Sequence, residues 1–598
     1  MPDTSSTPRA EYERRLASWR ERIASLDRTS LLMSNGRLLI AGLFAVFLWF
    51  TVVHSRVSPW WPVCAGLAFG VLAIVHARVL ARTERARGAE RVYLRGLERL
   101  RGRWAGTGRD GAQFLDGHPY ARDLDLFGRA SLFELLNTAR TEAGEATLAG
   151  WLRTGASTEA VLARQAAVDE LRQNVDLRED LAVLAAETAI SRTGVLAAWA
   201  LAPPIGFKRG VAYMLVACGA VAVALAALAF EERIGSRWMV FWLIAEGGIA
   251  IVWQRRFQKV LAGVEAPDRD LGLLAALLAR IETEGFSSPG LTALQASLRT
   301  HGVPPSRRIA QLRRMVSWLD STRNQMFAPI AYGLMLPQQL AVAIDRWHGN
   351  YGHAVDEWLR VVGELEALSA MATYAYEHPG DPFPVLVEIG PLFEADALAH
   401  PLLPIETSVP NDVRLGGDHP RVIVVSGSNM SGKSTLLRSV GVNVVLAMAG
   451  APVRAARLRL SPLVLGATLR VEDSLEAGRS RFYAEILRIR TIVDAARGPV
   501  PLLFLLDEIL HGTNSYDRRI GAEAIVRALV GCGAIGLVTT HDLALTELPS
   551  RLDVAAAVNM HFEDRLEHGK MVFDYRMRPG VVEHSNALAL MRAIGLEV

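Results

Sequence analysis

The chain is poor in cysteine, with three in 598 residues, and Cys64, Cys218 and Cys532 have no metal-ligand spacing. A disulfide framework and a thiolate zinc site are therefore excluded. It is also poor in net charge, +3 from 65 basic and 62 acidic residues, a balance that neither demands nor excludes nucleic acid. No basic stretch is interleaved with aromatics, which speaks against an evident DNA-binding surface. Residues 1–36 lack the marks of a signal peptide: they mix Arg14, Arg15, Arg20 and Arg22 with Glu11, Glu13 and Glu21, and no small-residue cleavage site follows the next apolar run. They read as a short solvated helix. Apolar residues, by contrast, are plentiful. A hydrophobic content of 51% with a mean hydropathy of +0.20 points to membrane segments.

Residues 38–53 and 60–75 are uncharged apolar runs, separated only by His54, Ser55, Arg56, Val57, Ser58 and Pro59. Each approaches the roughly 20 residues that cross a bilayer, and Trp49, Trp60 and Trp61 stand near the ends as interfacial anchors. A buried helical hairpin is the competing reading. A second pair, 211–230 and 238–253, is interrupted only by Glu246 and joined by the short stretch 231–237. Arg78, Arg82, Arg85, Arg87 and Arg91 follow the first pair, and Arg255, Arg256 and Lys259 follow the second. The positive-inside rule then puts both termini in the cytoplasm and the two short loops outside. The expectation is four spans in an integral membrane protein of a bacterial-type inner membrane. Glu246 is either a functional polar site or, beside Gly247 and Gly248, part of a helix-packing face.

Between and after these pairs the texture is helical. Leu132, Leu135, Leu136 and Ala139 recur at helical spacing, as do Val161, Val168, Leu171 and Val175. From Pro384 onward, short apolar runs alternate with glycines and prolines, the texture of an α/β domain. The division expected is a cytoplasmic segment 1–36, a hairpin 37–80, a helical region 81–205, a second hairpin 206–254, further helices 255–383 and an α/β domain 384–598.

Within 384–598 four elements point to one chemistry. Residues 427–435, Gly427-Ser428-Asn429-Met430-Ser431-Gly432-Lys433-Ser434-Thr435, have the phosphate-loop form G-x-x-x-x-G-K-[ST] between an apolar strand and a helix. The glycines let backbone N–H groups curl around phosphate oxygens, Lys433 reaches the β- and γ-phosphates of ATP, and Ser434 sits on Mg²⁺. The strand 502–506 ends in Asp507 and Glu508. Asp507 is expected to hold Mg²⁺ through water, and Glu508 to orient and deprotonate the attacking water. A third strand, 535–540, ends at His541, a candidate γ-phosphate sensor. The fourth element, 473–482, is a polar glycine-containing turn leading into a helix, able to donate N–H and hydroxyl groups to phosphate. A loop of this kind, of no evident use in its own unit, suits a composite site completed by a dimer partner.

These blocks resemble the MutS family of mismatch-repair ATPases, a branch of the ABC-type ATPases. Gly427-Ser428-Asn429-Met430-Ser431-Gly432-Lys433-Ser434-Thr435 resembles G-P-N-M-x-G-K-S-T, and Asp507-Glu508 through Gly512-Thr513 to Asp517 resembles D-E-x-x-x-G-T-x-x-x-D. Gly478-Arg479-Ser480-Arg481-Phe482 resembles G-R-S-T-F, and Thr540-His541 the T-H block. His400-Pro401, Pro410-Asn411-Asp412 and the tail with Tyr575, Gly580 and Ser585 are similar to further family blocks, as are Thr141 to Gly144 with Trp151-Leu152. The resemblance implies a P-loop (ABC-type) α/β ATPase domain after an α-helical MutS-like core that transmembrane hairpins interrupt. It further implies a homodimer in which Ser480 meets the partner's γ-phosphate, with double-stranded DNA as a candidate partner beside the membrane. Departures accompany it. Ser428 and Arg454 stand where the family has prolines, and only 121 residues precede the core block, too few for the family's mismatch-reading domain. Its reading motif, Phe-x-Glu, occurs at Phe230-Glu231-Glu232, on the expected outer side of the membrane. The function expected is a membrane-anchored ATP hydrolase of MutS type; the alternative is an ABC-type ATPase driving transport or membrane remodelling.

Overall fold

The computed structural model describes residues 7–53, 58–186, 193–263, 268–299, 302–325, 327–428, 430–469, 481–541, 543–551, 556–567 and 570–582. Thr7 caps the first helix, Pro8–Val52, by accepting from the Ala10 N–H at 3.3 Å, with Pro8 in the first turn. The helix Trp60–Leu100 returns antiparallel beside it: Tyr12 meets Gly96, Leu72 meets Gly36 and Phe44 meets Gly66. A short solvated helix ahead of a separate span was the expectation for the N-terminus, and the structure corrects it. The 45 residues form one rod, about 68 Å long at 1.5 Å per residue. No proline follows Pro8 within this helix and its two glycines stand singly, so nothing breaks it. The charged half is laced by Arg20–Glu90 at 2.9 Å and Arg87–Asp27 at 3.2 Å, whereas Leu38, Trp49, Trp60 and Leu67 on the apolar half are exposed.

Among the described residues three helices are long and apolar enough to cross a membrane: Pro8–Val52, Trp60–Leu100 and Arg209–Phe230. The fourth expected span lies in the helix Arg237–Gly263, which is not among them. Glu246, Gly247 and Gly248 dilute its apolar run, although Phe241, Ile244, Ile251 and Val252 are exposed on it. Glu246 itself is 3% exposed and accepts from Trp242 Nε1 at 2.9 Å, while the same N–H reaches Cys218 O at 3.3 Å. It therefore belongs to the packing face between the two helices.

The helical region is built around Leu336–Glu377, a 42-residue helix whose side chains from Val361 to Ala375 are almost all buried. Helices Glu142–Arg153, Thr158–Gln173, Thr193–Leu201 and Pro305–Ser321 pack against it. Glycine sets the closest approach: a Cβ at Gly363 would sit 2.8 Å from the Ala143 carbonyl oxygen. Thr141 and Ser157 cap two of the flanking helices through the N–H groups of Gly144 and Ala160.

The C-terminal part has two sheets. In the smaller, β1 (Val385–Leu386), β2 (Leu392–Leu398), β3 (Asn411–Gly416) and β5 (Arg457–Leu460) lie in the order β1-β5-β2-β3. The larger contains β4 (Val422–Ser426), β6 (Val464–Thr468), β7 (Leu502–Asp507), β8 (Ile535–Thr540), β9 (Ala557–Glu567) and β10 (Lys570–Pro579) in the order β10-β9-β4-β8-β7-β6. All of its pairs are parallel except β9–β10. β4, β7 and β8 are buried along their lengths, which is why they read as unbroken apolar runs. Helices Lys433–Ala449, Arg481–Ala495 and Ser515–Gly531 follow β4, β6 and β7. Gly441 packs on both Leu124 and Leu505, so the helix after β4 joins the helical region to the sheet.

Candidate functional site

The phosphate loop leaves β4 at Gly427, whose φ of +151° opens the turn, and closes at Gly432, whose φ of +107° starts the helix Lys433–Ala449. A Cβ at Gly427 would lie 2.8 Å from Ser431 Oγ. Lys433 turns back over this loop and donates to the carbonyls of Gly427 at 2.7 Å and Ser428 at 2.9 Å. Ser428 Oγ and Ser431 Oγ are buried without a hydrogen-bond partner among the described residues. Asn429 lies outside those residues, as does Ser480 with the rest of 470–480.

The next two strands deliver the acids. β7 and β8 run side by side, pairing Asp507 with Thr539, whose hydroxyl donates to Asp507 Oδ1. Glu508 follows with a φ of +47°, its N–H held by Thr539 O at 3.3 Å and Oγ1 at 3.2 Å. This left-handed turn swings the carboxylate over the phosphate loop. Glu508 Oε1 lies 3.7 Å from Lys433 Nζ and 3.3 Å from His541 Nδ1, and Oε2 lies 3.1 Å from His511 Nε2. The two imidazoles stack with centroids 4.8 Å apart. Burial disfavours the Glu508 carboxylate, but Lys433 first, then His541 and His511, outweigh it and hold its pKa below the usual range. Lys433 is also pulled down, by burial, with Glu508 and Asp507 opposing.

Lys433, Ser434, Thr435 and Glu508 line one cavity of about 600 Å³ with Ser428, Met430 and Gly432. Three neighbours there were not assigned to the nucleotide pocket from sequence. His511 grips Glu508; it sits inside the D-E-x-x-x-G-T block, but only the left-handed turns at Glu508 and Leu510 aim it back. His400 lines the pocket wall, and burial with Arg438 nearby lowers its pKa to about 4. Tyr575, which resembles a dimer-side residue of the family, lines the cavity of its own chain: its ring is 3.2 Å from a Cβ built at Gly432, and its carbonyl accepts from Asn411 Nδ2 at 3.0 Å. The loop after β7 is further tied by Glu485, which accepts from Leu510 N–H at 2.6 Å. Glu508, His511 and His541 also bring three ligand atoms within 4.8 Å of one another, so a cation could be held there; Ser434 and Asp507 are the residues expected to hold Mg²⁺.

The Lys433–Glu508 pair has a consequence for pH. Glu508 raises the lysine pKa that burial lowers, so Glu508→Gln leaves burial less opposed. Lys433 then loses its proton at lower pH, and the alkaline limb of nucleotide binding moves to lower pH. A limb that stays where it is in this variant would mean the two side chains do not interact in solution.

Residues 423–597 match the family model described as MutS domain V. The chain is 34% identical over 298 residues to DNA mismatch repair protein MutS 1 of Halobacterium salinarum, covering 48% of this chain and 33% of that protein. It is 33% identical over 269 residues to DNA mismatch repair protein MutS of Natronomonas pharaonis, covering 43% of this chain and 29% of the relative. With the protein of the same name from Geobacillus thermodenitrificans it shares 30% over 276 residues, covering 44% and 29%. The chain thus spans about a third of the length of these curated relatives. The α/β ATPase-type domain at the C-terminus, after a mostly helical region, thus carries the MutS domain V match, and about half of the chain is similar to MutS proteins.

Proposed function

We propose that the chain is a membrane-anchored ATP hydrolase of the MutS type, working as a dimer with composite sites. The observation that carries this is the convergence of Lys433 and Glu508, 3.7 Å apart, over a glycine loop with two orphaned buried hydroxyls. Those hydroxyls, the loop N–H groups and a lysine now spent on its own carbonyls form a donor set suited to a polyphosphate.

ATP entering the cavity would draw Lys433 off the Gly427 and Ser428 carbonyls onto its β- and γ-phosphates. Glu508, kept ionised by its cationic neighbours, orients a water for in-line attack and accepts its proton. His541 and His511 would hold the two carboxylate oxygens, and His541 would sense the γ-phosphate. Mg²⁺, held by Ser434 and Asp507, would neutralise charge on the phosphate oxygens. Double-stranded DNA is the candidate polymer, on the relatives' names, and it would show as binding that weakens steeply with salt. No specific observation favours the transport reading.

Three measurements test this. Glu508→Gln should retain ATP binding while turnover falls by about 10² or more, as when a general base is lost; wild-type turnover in that variant removes the base assignment. Ser480→Arg and Lys433→Ala chains, each inactive alone, should recover hydrolysis when mixed, because a mixed dimer has one intact composite site. Hetero-dimers that form yet stay inactive would refute the trans role of Ser480. Cysteines placed at Ser58 and Gly235 should react with an impermeant reagent from outside the cell, and one at Ser5 should not; recovery of the intact chain in the soluble fraction would end the membrane reading.

A further inference from the structure

At the base of the first hairpin two adjoining cavities, of about 70 and 40 Å³, share Arg95, Arg99 and Arg140 in their walls. Arg178 also faces the larger one. Arginines are seldom buried unless paired. Arg99 obeys this, binding Glu377 through Nε to Oε2 at 2.8 Å. Arg178, 7% exposed, meets neutral groups: it donates to the Leu171 carbonyl at 3.1 Å, the Arg172 carbonyl at 3.0 Å and the Thr373 hydroxyl at 3.1 Å, and lies 4.8 Å from the centre of the Tyr376 ring. Arg140 has its Nε sealed from solvent without a partner. Among the described residues neither arginine forms an ion pair.

The acids close by are already engaged. Glu366 accepts from the Arg140 N–H at 3.3 Å, the Thr141 N–H at 3.2 Å and the Thr141 hydroxyl, and burial pushes its pKa up, away from the charged form. Glu145 is paired with Arg109 at 2.8 Å, and Glu179 with Arg15 at 3.0 Å. Burial first, then Arg95 and Arg99, bring the Arg140 pKa down to about 10, against the opposing pull of Glu366 and Glu145. A further observation points into the same space: Ser369, 7% exposed, lines the larger cavity with its Oγ buried and unpartnered. A neutral hydroxyl and excess guanidinium charge, enclosed together, lack one thing, an anion.

We propose that these cavities bind a phosphate-sized oxyanion, gripped by Arg140 and Arg178, hydrogen-bonded by Ser369 and entered past the exposed Arg95. Guanidinium forks match the oxygen spacing of phosphate and hold it through charge-assisted bonds. The small volume restricts the ligand to the free ion. The site joins the helices Trp60–Leu100, Val175–Ala186 and Leu336–Glu377, so an ion there fastens the hairpin base to the core.

The test uses the full chain in detergent carrying Lys433→Ala, so that the phosphate loop does not compete, with inorganic phosphate titrated against thermal unfolding at constant ionic strength. The unfolding temperature should rise with phosphate, and Arg140→Gln should weaken the apparent affinity by about tenfold or more, the scale of a lost charge-assisted bond. Without phosphate, Arg140→Gln should unfold no earlier than its parent, since it removes an uncompensated charge. Absence of any phosphate shift in the parent overturns the proposal. So does an Arg140→Gln chain that unfolds earlier yet keeps the parent's phosphate dependence, because Arg140 would then be merely structural. Should Arg140→Gln not fold, the exposed Arg95→Gln decides: a weakened response supports the site and an unchanged one refutes it.

Discussion

Three carboxylates on one helix hold the molecule together. Along Leu336–Glu377, Asp345 accepts from the N–H groups of Ile205 at 2.8 Å, Gly206 at 3.0 Å and Phe207 at 3.1 Å, fixing the chain as it enters Arg209–Phe230. About six helical turns further on, Glu366 receives the Arg140 and Thr141 N–H groups and so seats the helix Glu142–Arg153. At the end, Glu377 takes Arg99 and the Tyr12 hydroxyl at 3.2 Å, anchoring the first hairpin. Each acid is itself buried, at 5–7% exposed, where an unsatisfied carboxylate would be costly. The positions of the three partner segments are therefore set by the need to satisfy the acids, and not by apolar packing alone.

The phosphate loop obeys a related constraint. Lys433 is 5% exposed and must spend its donors somewhere, and the loop's own carbonyls accept two of them while Glu508 lies 3.7 Å away as its ion-pair partner. A phosphate chain competes for the same ammonium. Moving Lys433 takes one partner from Glu508 and leaves the carboxylate with the two histidines. In the proposed mechanism, loading of the nucleotide and release of Glu508 from Lys433 would therefore be one event.

The parts of this arrangement legible from sequence are those whose cause is local. Strands 422–426, 502–507 and 535–540 are apolar because both faces of a parallel sheet are covered, and the phosphate loop announces itself because only glycine serves at φ values such as those of Gly427 and Gly432. Contacts made across long sequence separations were not legible. His511 reaches Glu508 only because two non-glycine residues adopt left-handed turns, which no composition signal marks. Tyr575 lines a cavity of its own chain, where Asn411, on another sheet, holds its carbonyl, a contact that its place in the tail does not announce. The end of an apolar run was misleading as a helix boundary for the opposite reason: hydropathy changes near residue 37, whereas the backbone has no cause to stop there. Asn429 and Ser480 fall outside the described residues.

The same long helix decides how the hairpin can move. Arg99 and Glu377 are 16% and 2% exposed at their side chains, and breaking one partner of such a buried pair costs about 3–5 kcal/mol. Arg15 adds Glu179, and Tyr12 packs on Tyr93 and Tyr376 beside the pair. Higher up, the rods are joined by exposed pairs such as Arg20–Glu90 and Arg87–Asp27, each worth about 0–1 kcal/mol. Bending is therefore cheapest between the buried foot and the apolar half, and the foot moves with the core. Any rotation of the core would carry the foot of the hairpin with it, so the hairpin is fixed to the core as a lever and not loosely tethered.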